Sequence, residues 1–128
     1  MSRPPRTRSR DRGQAAIEYL GFLPILLLVG LAGLQLGVAA YAAQQAGSAA
    51  RAAARAASMA DEENAPDADA AGRAAADWAT GVSVDRTGDA AVATVTVRIP
   101  SVVPFWDGFG TVEKTATMPM SPEQEEGP

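Results

Sequence analysis

Cysteine and histidine are both missing from this 128-residue chain. Their absence excludes a disulfide framework, thiol nucleophiles and imidazole metal sites together. Aromatic residues are scarce as well, at 5%, although hydrophobic residues reach 47%. Alanine supplies much of the difference, so few side chains are available to fill a core, and the length allows one small folded domain at most. Acid-base catalysis would fall to carboxylates. These cluster as Asp61-Glu62-Glu63 and Glu123-Gln124-Glu125-Glu126, charge runs of the kind that stay solvated. Asp85, Asp89 and Asp107 lie in or beside turn sequences, where aspartate commonly bonds its own backbone. There is no Asp-x-Asp-x-Asp-Gly calcium run, and Gly108-x-Gly110 does not open a strand-turn-helix phosphate loop. The expectation is a protein that is not an enzyme and holds neither metal nor cofactor.

What is present is divided unevenly along the chain. The formal net charge is -4, yet residues 1 to 13 carry five arginines against one aspartate, a local +4. From Asp61 to Pro128, thirteen acids face four basic residues, a local -9. Between these ends lies an apolar run. Only Gln35 is clearly polar from Leu20 to Ala40, and 21 helical residues span about 31 Å, enough to cross a hydrocarbon core once. A basic flank beside such a span belongs on the cytoplasmic side, which places the acidic part outside. The leader, residues 1 to 13, has no apolar periodicity and reads as a disordered cytoplasmic segment. Its arginines come without an aromatic or folded nucleic-acid reader, so nucleic acid is not an expected partner.

Beyond the span the helix has no reason to stop until Asp61, because Gln44 to Ala60 is mostly alanine, with Arg51 and Arg55 on one face. Residues 14 to 60 therefore read as one transmembrane and extended helix. Pro24 should loosen it locally. Gly30, Gly33 and Gly37 would allow another helix to approach closely, Gly33 and Gly37 as a small-xxx-small pair. Asp61 to Pro66 breaks the helix, and Asp67 can cap a second one running to about Ala79, with Ala71, Ala74, Ala75 and Trp78 at helical spacing. From Gly81 the period changes to two. Val82 and Val84 alternate with polar neighbours, Arg86-Thr87-Gly88-Asp89 makes a turn, and Ala91 to Ile99 alternates again. Thr111 to Met118 reads as a third strand. The predicted fold class is α+β: a long amino-terminal helix, then a short helix packed on a small three-stranded antiparallel sheet. Residues 61 to 120 form the extracytoplasmic head, and 121 to 128 an acidic disordered tail. Phe105, Trp106 and Phe109 fall in a loop between the last two strands, where they either cap the core or present a patch to a partner or a membrane.

A costly feature remains. Arg12-Gly13-Gln14-Ala15-Ala16-Ile17-Glu18-Tyr19 sets a carboxylate inside the start of the apolar run, and an ionisable group at membrane depth costs about 2.5 to 3.5 kcal/mol on insertion scales. Gly13 to Tyr19, with Leu23-Pro24-Ile25-Leu26-Leu27-Leu28 after it, resembles the amino-terminal signature of TadE-like pseudopilins of the tight-adherence pilus system. Ala49-Ala50-Arg51 and Ala54-Arg55 resemble the end of the TadE-like helix. The resemblance implies cutting by a prepilin peptidase between Gly13 and Gln14, which makes Glu18 the fifth mature residue and Tyr19 the sixth. It also implies other pilin or pseudopilin subunits and inner-membrane assembly proteins as partners, beside the lipid bilayer itself. Flp-type major pilins are much shorter and lack a head, so a minor or priming subunit fits better than the main filament.

A cationic α-amine created at Gln14 could then be met by Glu18 of a neighbouring subunit, neutralising two charges that are each costly in lipid. The competing expectation is a signal-anchored or secreted binding module, either unprocessed or cut near Ala42 to Ala46 at small-residue sites such as Ala40-Tyr41-Ala42, and recognising a ligand through Phe105, Trp106 and Phe109.

Overall fold

In the computed structural model, residues 2–3, 8–61 and 63–120 are described, with side chains from residue 12 onward in the first helix. The expected acidic tail, residues 121 to 128, lies outside them, as do residues 4–7 of the leader. The chain runs α1 (Arg8–Ser58), α2 (Ala68–Ala75), β1 (Ala79–Thr87), β2 (Ala90–Arg98) and β3 (Thr111–Pro119). It is α+β, with one long apolar helix, one short helix and a three-stranded antiparallel sheet in the order β1-β2-β3.

Helix α1 has 51 residues, about 77 Å at 1.5 Å each. It starts at Arg8 rather than near Gln14, so the leader is helical from Arg8 to Gly13. After Pro5 nothing in the leader strongly opposes a helix, and arginine is a good helix former. Pro24 lies inside the helix and removes the amide that would have bonded Leu20. The helix closes with i to i-3 bonds from Met59 and Ala60 to Ala56 and Ala57, and Asn64 turns the chain at φ 75°.

The sheet packs mainly on α1, while α2 touches it at β1. Ala42, Ala46, Ala49, Ala50, Ala53, Ala54 and Ala57 are completely buried along the second half of α1, as are Ala91, Ala93, Val95 and Val97 of β2. Alanine's small side chain lets the sheet come close to the helix, and Val95 and Val97 are the largest side chains fully enclosed there. Arg51 and Arg55 point to solvent from the opposite side. The sheet's outer face is polar, with Thr94 and Thr115 hydroxyls 3.0 Å apart across β2 and β3.

Helix α2 is shorter than expected. Asp67 caps it, accepting from the amides of Asp69 at 2.8 Å and Ala70 at 3.1 Å. It ends at Ala75, so Trp78 sits in the turn before β1 and not on the helix. Ala74 and Ala75 are exposed; the packed positions are Gly72 and Ala76. A Cβ on Gly72 would lie 3.1 Å from Val82 and 3.3 Å from Ala53, so glycine sets how closely α2 meets α1 and β1. The β1–β2 hairpin turns through Gly88 at φ 60°, glycine at the first position of a two-residue loop, as a II′ turn requires.

Candidate functional site

The apolar half of α1 is bare. Every residue from Arg12 to Gly30 is exposed, including Ile17, Tyr19, Leu20, Phe22, Leu23, Ile25, Leu26, Leu27, Leu28 and Val29. An apolar surface this continuous has to be covered by something other than the chain's own head. By length and composition α1 is a candidate membrane span. Gly13, Gln14, Glu18 and Tyr19 stand together at its beginning, on successive turns of one unbroken helix, with the backbone around Gly13 helical and uncovered.

Gly30, Gly33 and Gly37 are exposed too, and an added Cβ at any of them would meet nothing within 4 Å. Gly33 and Gly37 lie two positions either side of Gln35, hence about 160° around the helix from it at 3.6 residues per turn. Gln35 faces the head, so these glycines face away from it.

Gln35 is a buried tie between the helix and the head that its sequence context did not disclose. It is only 6% exposed. Its Nε2 donates to the Pro100 carbonyl at 3.0 Å, and its Oε1 accepts from the Val102 amide at 2.9 Å. Both halves of the amide therefore close on the backbone of the loop that follows β2, 65 to 67 residues away in the chain. Its polarity within an apolar run was the available signal. A second glutamine makes a similar tie, Gln45 Oε1 accepting from the Trp78 amide at 3.4 Å, beside an edge-to-face Tyr41–Trp78 pair with centroids 5.2 Å apart.

Replacing Gln35 with leucine would strip a carbonyl and an amide of their partners, at a cost of about 1 to 3 kcal/mol. Hydrogen exchange at the Val102 amide should accelerate about tenfold or more in that variant. Unchanged exchange would mean that the loop holds itself without the clamp.

Phe105, Trp106 and Phe109 do not cap the core. They are 109%, 59% and 37% exposed, respectively, on the loop that Gln35 holds at its base. Among the described residues, no group of three or more acidic side chains is placed to share a metal ion.

Residues 13–55, the stretch from the glycine near the start of the bare segment to the last arginine of α1, match the family described as TadE-like protein. That stretch of helix α1 is similar to the TadE-like family. The match ends before α2 and the sheet, so the TadE-like segment includes the surface on which the head is built but not the head. No curated protein and no solved structure matches the chain.

Proposed function

We propose that this protein is a structural minor pilin or pseudopilin of a tight-adherence pilus assembly system, processed by a prepilin peptidase after Gly13. The observation that carries the reading is the TadE-like match over residues 13–55, which begins at the glycine followed five residues later by Glu18. On this reading residues 1 to 13 are a cytoplasmic leader, the bare half of α1 crosses the cell membrane once, and the head from residue 61 to 120 stands outside. A leader at +4 and a portion beyond residue 60 at -9 support that orientation. Gln14 becomes the new terminus, with Glu18 fifth and Tyr19 sixth. The partners are the peptidase, other pilin or pseudopilin subunits, inner-membrane assembly proteins and the bilayer. Gly30, Gly33 and Gly37, turned away from the head, suit contact with a neighbouring helix. The protein's role is assembly rather than catalysis.

Processing provides the test. Co-expressed with a prepilin peptidase, the full chain should lose its leader, and Gly13→Leu should keep it, because the exposed glycine is where the enzyme must reach the backbone. Equal processing of both forms would remove Gly13 from the mechanism.

A further inference from the structure

We propose that the loop from Val103 to Phe109 is a lipid anchor, inserting Phe105, Trp106 and Phe109 into the headgroup and upper acyl region of the leaflet from which α1 emerges. The proposal rests on reading α1 as a membrane span and goes beyond it by giving the head a binding surface of its own.

Placement comes first. Strand β2 runs opposite to α1: Ala93 packs with Ala53 and Ala54, while Val95 and Val97 pack in the cluster containing Ala42, Ala46, Ala49 and Ala50. The chain leaving β2 therefore heads toward the bare half of the helix, where Gln35 holds Pro100 and Val102. Leu31, one turn before Gln35 on the same face, is the first side chain after the exposed run Arg12 to Gly30 to lose exposure. The loop thus stands where bare helix becomes covered helix. From Gln14 to Gln35 the axial rise is about 31 Å, close to the roughly 30 Å of a hydrocarbon core. If Gln14 lies at one boundary of the apolar layer, the Gln35 clamp lies at the other. Aromatic side chains are favoured at that depth.

The loop's own geometry points the same way. Phe105 is held at φ 65°, a left-handed conformation that a bulky residue adopts at a cost, and its ring is fully exposed. Water gives no return for either feature. Trp106 lies over Gly108, where an added Cβ would come within 2.9 Å of its Nε1. Ile99 and Gly110 close the base of the loop with a 3.1 Å backbone bond. Arg98, Asp77 and Asp107 line a groove beside it, a mixture of signs that offers no net attraction for anionic lipid. The occupant that fits is an uncharged, apolar-to-polar boundary such as a phosphatidylcholine surface, bound by aromatic insertion with little dependence on salt.

Bromine-quenching of tryptophan in reconstituted vesicles tests this. In the full chain carrying Trp78→Phe, Trp106 is the sole tryptophan. In phosphatidylcholine brominated at shallow acyl positions it should show blue-shifted emission and lose about half its intensity, with less quenching by deeply brominated lipid. A companion chain carrying Trp78→Phe, Trp106→Phe and Leu27→Trp reports on the helix and should be quenched most by the deep label. Quenching of this helix probe without quenching of Trp106 overturns the anchor while leaving the span intact, including the case in which Trp106 is shielded by a second protein copy. Loss of quenching at both positions overturns the span and the anchor with it. Phe105→Trp in the Trp78→Phe, Trp106→Phe background repeats the measurement from the adjacent position and should give the same shallow quenching.

Discussion

Replacing Ala50 with leucine should separate the sheet from the helix. Ala50 is completely buried at the centre of the alanine seam, in the cluster that holds Val95 and Val97. Extra methylene groups in a well-packed site cost about 1 to 3 kcal/mol, sometimes more. In a head with Val95 and Val97 as its largest fully enclosed side chains, that is a substantial fraction of a marginal stability. Chemical denaturation of the detergent-solubilised chain, followed through the Trp78 signal, should shift to markedly lower denaturant. Gln44→Leu, on the exposed side of the same helix, is the matched control and should stay within about 0.5 kcal/mol of the parent. Coincident transitions for all three would show that the alanine seam does not bear the sheet.

Glu18→Ala should leave membrane insertion intact and remove assembly. Glu18 is exposed on the bare part of α1, and no basic side chain of the chain is bonded to it among the described residues. For a lone anchor the carboxylate is only a burden, about 2.5 to 3.5 kcal/mol, and its loss should make insertion easier. For an assembling subunit it receives the α-amine of a neighbour's Gln14. Removing one member of a desolvated charge pair costs about 3 to 5 kcal/mol, which is roughly two or more decades in association. Co-purification with partner subunits from membranes should therefore fall to background while the amount of inserted Glu18→Ala protein is unchanged. Full recovery of the partners with the variant would exclude the charge pair and favour the signal-anchored binding module.

The sheet was legible because its code is local. Alternation in Val82 to Val84 and Ala91 to Ile99, the Gly88 turn and the Asp67 cap each act within a few residues, and each lies where expected. The alanine face of α1 was harder, since a surface of uniform alanine carries no contrast between inside and outside. Read alone it predicts only a continuing helix; in the fold it is the floor of the head's core. Alanine's helix propensity likewise extended α2 toward Trp78, whereas contact between Gly72 and both Val82 and Ala53 fixes which face is packed. The clamp at Gln35 was legible only as an anomaly, because its partners lie 65 to 67 residues away. At the start of α1 the opposite held. Gly13, Gln14, Glu18 and Tyr19 are distinctive by spacing alone, and the match over residues 13–55 begins at that glycine.

The amino terminus of the membrane-resident protein is the measurement closest to the central claim. Mass spectrometry of the chain purified from cells that possess a prepilin peptidase should find Gln14 first, with the five-arginine leader gone. A leader still attached in those cells, or a terminus near Ala42 to Ala46, would contradict the assignment of Gly13 as the processing site.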